Sequence, residues 1–194
     1  MQLRSLLGRL ALAVPFVLAP LSGCRTTTSA SPELSSEAQR LEMLVGRWVA
    51  IQELTASDSG ETFPAEVTVD ARWDLSGTVV AARSAVQWTD PEDGKPRALE
   101  SYTYYSWDAA TGTYRTQRFD SAGNVAEGTM TYDEEANMWH LEDTLTETST
   151  GLRTRGTGTL QYIAEDEQIV EWRSSPERGG GGFRMVGRSQ RVSR

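Results

Sequence analysis

Three residue types that carry much of protein chemistry are nearly missing from this chain. It has one cysteine, Cys24, one histidine, His140, and one lysine, Lys95. A nucleophile–histidine–acid relay would have to run through His140, and no Gly-x-Ser-x-Gly elbow accompanies it. Structural zinc needs several Cys or His ligands, which are not there. Phosphate-loop and dinucleotide fingerprints are absent as well. The Gly179–Gly182 run lies between two strand-like segments, not before a helix, so it reads as a hairpin loop and not a phosphate cradle. The acidic stretch Asp90-Pro91-Glu92-Asp93-Gly94 lacks the ligand spacing of a calcium loop and reads as a solvated turn. No metal or cofactor is expected, and binding is a better expectation than catalysis. Positive charge is also short. The formal net charge is -8, which disfavours nucleic acid and anionic lipid headgroups as partners.

Long apolar runs are lacking everywhere except near the start. There, Arg4 and Arg9 precede a run from Leu10 to Leu18, the pattern of a secretory signal. Spanning a bilayer takes roughly 20 apolar residues, so this run is too short. It ends in Leu21-Ser22-Gly23-Cys24, which resembles the lipobox of bacterial lipoproteins. The resemblance implies removal of residues 1–23 and a diacylglycerol thioether on Cys24. It also implies a second acyl group on the new amine, and multiple chains anchor stably where one is marginal. Arg25 follows the cysteine where an Asp marks inner-membrane retention, so outer-membrane sorting facing the periplasm is implied. The alternative is a plain cleaved signal with a free thiol. Residues 24–35, rich in Thr, Ser and Pro, read as a tether, and residues 36–194 as the folded domain, long enough to bury a core.

Ser36 and Gln39 fit a capping box, and Ala38, Leu41, Leu44 and Val45 follow at helical spacing until Gly46. From Arg47 on, the period changes to two. In Glu66–Leu75 every odd residue is apolar and every even one polar. Ten such runs are separated by turn signals too short for a helical crossover, so neighbours are antiparallel. Ten strands with one apolar face must close or fold over. The expected fold is all-β: a single up-and-down barrel preceded by a short helix.

Gly46-Arg47-Trp48 resembles the Gly-x-Trp entry of the calycins, the lipocalin-like barrels. Trp107-Asp108, Tyr114, Asp120-Ser121-Ala122-Gly123 and Gly128 resemble the Tyr-Asp, Tyr, Asp-Ser-x-Gly, Gly series of an uncharacterised calycin-like bacterial family, with Trp107 in place of the usual Tyr. The similarity spans residues 40 to 190 and implies a barrel without naming a reaction. Trp48 is expected to plug one barrel end against Leu41 and Leu44. The candidate ligand-binding residues are Trp73, Trp88, Tyr102, Tyr104, Tyr114, Arg118, Trp139 and Trp172. These aromatics either fill a core or line a cavity for a small hydrophobic ligand. Arg118 shares a face with Tyr114; turned inward it is a buried cation that needs a partner, such as an acidic headgroup. The same alternation allows Arg118 to stand outside. His140 is expected on the solvent side beside Glu142, because Trp139, Leu141 and Leu145 bury more apolar area on the other face, on which Asp143 is the exception. That placement argues against a haem-binding barrel acting on nitrogen oxides.

Overall fold

A computed structural model describes residues 34–177 and 182–194. The lipobox, Cys24 and most of the tether lie outside the described residues.

A short helix, α1 (Ser36–Arg40), tightens into a 3-10 turn over Leu41–Leu44. Ten strands follow: β1 (Gly46–Ala56), β2 (Thr62–Asp74), β3 (Val79–Thr89), β4 (Pro96–Asp108), β5 (Thr113–Asp120), β6 (Val125–Asp133), β7 (Met138–Thr146), β8 (Arg153–Ala164), β9 (Glu167–Pro176) and β10 (Phe183–Ser193). Each pairs antiparallel with its neighbour in sequence, and β10 returns to β1, so the sheet is a closed barrel without edges. The expected up-and-down order is the observed one.

The helix differs from expectation at both ends. Ser35, not Ser36, is the N-cap, and its hydroxyl accepts from Ala38 N at 3.2 Å. Gln39 donates to the Leu34 carbonyl instead of closing a box. Gly46 is not a helix stop. Val45 is already extended, and Gly46 opens β1 at φ 126°, where a Cβ would lie 2.7 Å from the Ser193 carbonyl.

Alternation assigns the two faces of every strand. Outward positions carry cross-strand ion pairs: Arg83–Glu100 at 2.8 Å, Arg115–Asp108 at 2.9 Å, Arg155–Glu142 at 3.1 Å and Arg188–Glu167 at 3.0 Å. All are exposed and individually worth little. Together they make the outer wall a water-facing surface, not the apolar band that a lipid-facing barrel presents. The acidic Asp90–Gly94 stretch is the β3–β4 turn, and its Asp90 and Asp93 carboxylates are taken by Arg97 and Lys95.

Inside, one half of the barrel is solid. Leu41 and Leu44 from the 3-10 turn enter the end where β1 begins and pack on Trp48, Val80, Tyr114, Met130, Trp139 and Tyr162. Trp139 is 0% exposed, with Tyr114 edge-on at 4.7 Å and Tyr132 at 4.9 Å. The plug is tied by hydrogen bonds as well as by packing. Tyr114 OH donates to the Glu37 carbonyl at 2.9 Å and Tyr162 OH to the Met43 carbonyl at 2.8 Å. Trp48 Nε1 donates to the Leu44 carbonyl at 3.1 Å and Arg191 Nη2 to the Met43 carbonyl at 2.9 Å. Barrel side chains thus satisfy carbonyls that so short a helical segment leaves orphaned.

Candidate functional site

The other half of the barrel is built differently. At the end away from the helix, many inward positions are small or polar, among them Ser84, Thr103, Thr116, Ala126, Gly128 and Gly156, although Val86, Trp88, Leu99 and Leu145 also face inward there. Three of the larger side chains there lie against glycines. Trp172 on β9 is paired with Gly158 on β8, and an added Cβ at Gly158 or Gly156 would come within 2.3 or 2.2 Å of its ring. Gln52 lies over Gly187, and Asp143 over Gly128 and Gly156. A large side chain facing a glycine on the next strand uses space that the missing Cβ leaves.

Arg118 points into this half. Its guanidinium Nη2 is 3.5 Å from Asp143 Oδ2, and its centre lies 5.9 Å from the Trp172 ring centroid. The side chains of Arg118 and Asp143 are 32% and 11% exposed. Arg118 Nε is buried with no hydrogen-bond partner among the described residues. The Oε1 atom of Gln52, a residue only 2% exposed, is likewise without one. Burial pushes the Asp143 carboxyl above its ordinary value, with the Arg118 charge pulling it back. Burial also pushes the Tyr105 phenol up, and Tyr105 is close enough to feel both charges. The open half therefore holds a cation with unused donor capacity beside one carboxylate.

The eight sequence candidates fall into three groups. Trp73, Tyr114 and Trp139 belong to the solid half: Tyr114 and Trp139 are buried in the core, and Trp73 packs against it with its indole N–H on the Glu42 carboxylate. They wall no open space. Tyr102 and Tyr104 are corrected outright as lumenal residues, since they stand on the outer wall, 48% and 37% exposed. Strand β4 has aromatics on both faces, and the register buries Tyr105 and Trp107, whose indole stacks on Tyr114 at 4.7 Å. Trp88, Arg118 and Trp172 remain, half-buried and inward-facing in the open half. Phe183 is 37% exposed at the start of β10. His140 is exposed on the outer wall, as its strand's alternation indicates.

Sequence reasoning missed Asp143 and Tyr105 as neighbours of Arg118. The signal for Asp143 was present, as the one polar residue on the apolar face of β7. The glycines also carried a signal, because Gly156 and Gly158 fall two apart on one face of β8.

The hairpin motif is explained by structure. Asp108 Oδ1 accepts from Ala110 N at 3.0 Å and closes the β4–β5 turn. Asp120 accepts from Ala122 N and Asn124 N, both at 3.0 Å, and closes the β5–β6 turn, with Gly123 at φ 86°. Gly128 gives Asp143 its room. Two depressions lie outside the lumen: an outer-wall groove of about 380 Å³ lined by Val49, Ile51, Glu66 and Arg188, and a smaller one of about 200 Å³ between Met43, Tyr162 and Arg194.

No family model and no curated protein matches this sequence. Solved structures do. The S-type phycobiliprotein lyase CPES from Guillardia theta aligns with TM-score 0.52 at 11% identity, covering 79% of this chain and 90% of that one. Rv2717c from M. tuberculosis aligns with TM-score 0.59 at 15% identity, covering 82% and 99%. The chain shares a closed antiparallel all-β barrel fold with these structures. At these identities the likeness to the lyase and to Rv2717c extends to the fold and not to an activity.

Proposed function

We propose that this protein is a non-enzymatic binding barrel. It takes one small ligand, apolar in its body and anionic at one end, into the half away from the helix. The observation that carries this reading is Arg118: an inward-facing guanidinium with one carboxylate at 3.5 Å and a buried Nε without a partner. A charge is costly to hold inside a fold unless something there uses it. Trp172, whose ring centroid is 5.9 Å from the guanidinium, supplies apolar wall beside it. Native mass spectrometry of protein purified from its own cell envelope tests the reading. A small acidic adduct is expected on the wild type and lost from Arg118→Gln. Bare protein in both preparations would sink it.

The lipobox-like Leu21-Ser22-Gly23-Cys24 supports an envelope lipoprotein, tethered to the outer membrane through acylated Cys24. Cys24→Ser should move the mature chain into the soluble fraction. Retention on membranes would refute the anchor.

One observation favours a second reading, a scaffold acting through its outer wall. Tyr102 and Phe119 face each other across β4 and β5, and both are exposed, with Tyr104 two residues along. Exposed aromatics grouped in this way suit a protein contact. Replacing Tyr102 and Tyr104 by Ser would leave ligand adducts unchanged under the first reading and abolish partner capture under the second.

A further inference from the structure

An anion that enters the open half meets a carboxylate already in place. We propose that anion binding at Arg118 is coupled to protonation of Asp143, so that the site takes up its acidic ligand together with a proton. This rests on the reading of Arg118 as the anion anchor.

The geometry forces the coupling. Asp143 sits in a notch whose floor is glycine: an added Cβ at Gly128 would lie 2.7 Å from its Cβ, and one at Gly156 would lie 2.4 Å from its Oδ1. Those glycines admit the carboxylate to this position, with Oδ2 3.5 Å from Arg118 Nη2. Without ligand, Arg118 and Asp143 balance to zero charge. A second anion beside the same guanidinium leaves one uncompensated negative charge where Asp143 is 11% exposed and water screens poorly. A proton from solvent on Asp143 removes the repulsion. It also turns an acceptor into an O–H donor that can face the ligand.

The other groups around Asp143 offer no substitute. Strand β5 brings Arg118, β4 brings Tyr105, β6 brings Gly128, β8 brings Gly156 and β9 brings Trp172. Arg118 is the only permanent charge among them. Tyr105 is a phenol already pushed up by burial, so it stays protonated. The raised Asp143 carboxyl is in keeping with easy protonation.

The probe is anilinonaphthalenesulfonate, whose sulfonate stays ionised between about pH 5 and pH 8, so a pH dependence of its binding over that range comes from the protein. Wild-type affinity should tighten about tenfold or more from the upper to the lower pH. Calorimetry in buffers of different ionisation heat should show about one proton taken up per probe bound. Asp143→Asn should bind at the upper pH about as tightly as wild type does at the lower, with the pH dependence gone. Arg118→Lys, which keeps the charge, should retain both binding and pH slope. Binding that is lost in Arg118→Gln but flat with pH in the wild type would leave the anchor standing and overturn the coupling. Binding indifferent to Arg118→Gln, or no saturable binding at either pH, would overturn both. The proton count needs only wild-type protein, so it holds even where Asp143→Asn fails to fold.

Discussion

The two halves of this barrel follow one alternation rule and end in opposite interiors. Toward the helix, inward positions are Trp48, Val80, Tyr114, Met130, Trp139 and Tyr162, and they meet at the barrel axis. Away from it, small or polar inward residues such as Ser84, Thr103, Thr116, Ala126, Gly128 and Gly156 stand among apolar ones such as Val86, Leu99, Leu145, Trp88 and Trp172, and Arg118 and Asp143 face each other among them. Period two decides which side chains point in, but their volumes decide whether the middle is filled. Large aromatics make a dry plug that stabilises the fold. The far half is less tightly filled: Trp88, Arg118 and Trp172 are only partly buried, while Asp143 stays 11% exposed. The dry, aromatic packing is concentrated in the half that holds the helix, and the inward charge pair lies in the other.

The largest test of that division compares two tryptophans. Trp139→Ala removes a fully buried indole with aromatic neighbours on two sides, and should cost about 3–5 kcal/mol. Trp172→Ala in the open half should cost about 1–2 kcal/mol, because less area leaves water. Urea unfolding measures both. Equal losses would erase the distinction between the halves.

A smaller effect sharpens it. Gly156→Ala drives a methyl into the Trp172 ring and the Asp143 carboxylate, both side chains that must move. Overpacking of this kind costs about 1–3 kcal/mol. The same change in a Trp172→Ala background should cost less than half as much, since the ring is gone. A double-mutant cycle by chemical denaturation gives the difference, and additivity would show that the Gly156 space is not the one Trp172 occupies.

The smallest expected effect belongs to the outer wall. His140→Ala should shift stability by less than about 0.5 kcal/mol, as its side chain is exposed. A haemin-induced Soret band that depends on His140 would break the inward/outward reading of β7, and with it the assignment of Asp143 to the lumen.

Much of this was legible in residues alone. The alternation of Glu66–Asp74 reappears within β2 (Thr62–Asp74), with Leu75 instead exposed in the turn that follows, and the turn signals fall between observed strands. Trp48 as the plug against Leu41 and Leu44 was also legible, because one short helix next to the first strand has only that end to close. Local sequence misplaced the cap by one residue, since Ser35 and Ser36 are equally good oxygen acceptors and only the helix axis chooses between them.

Alternation, turn chemistry and strand count, all short-range properties of the chain, are enough to determine ten antiparallel strands, the faces of those whose alternation is unbroken, and a closed barrel. Tertiary structure alone decided the site. Tyr102 and Tyr104 went outside because Tyr105 and Trp107 could stack on the core and their own strand has only one inner face. Arg118 went inside because Tyr114, four residues before it, was committed to the core, and Asp143, 25 residues away in sequence, met it across β6. No local pattern pairs two such residues. Their meeting depends on the register of three strands and on a glycine, Gly128, that leaves room between them.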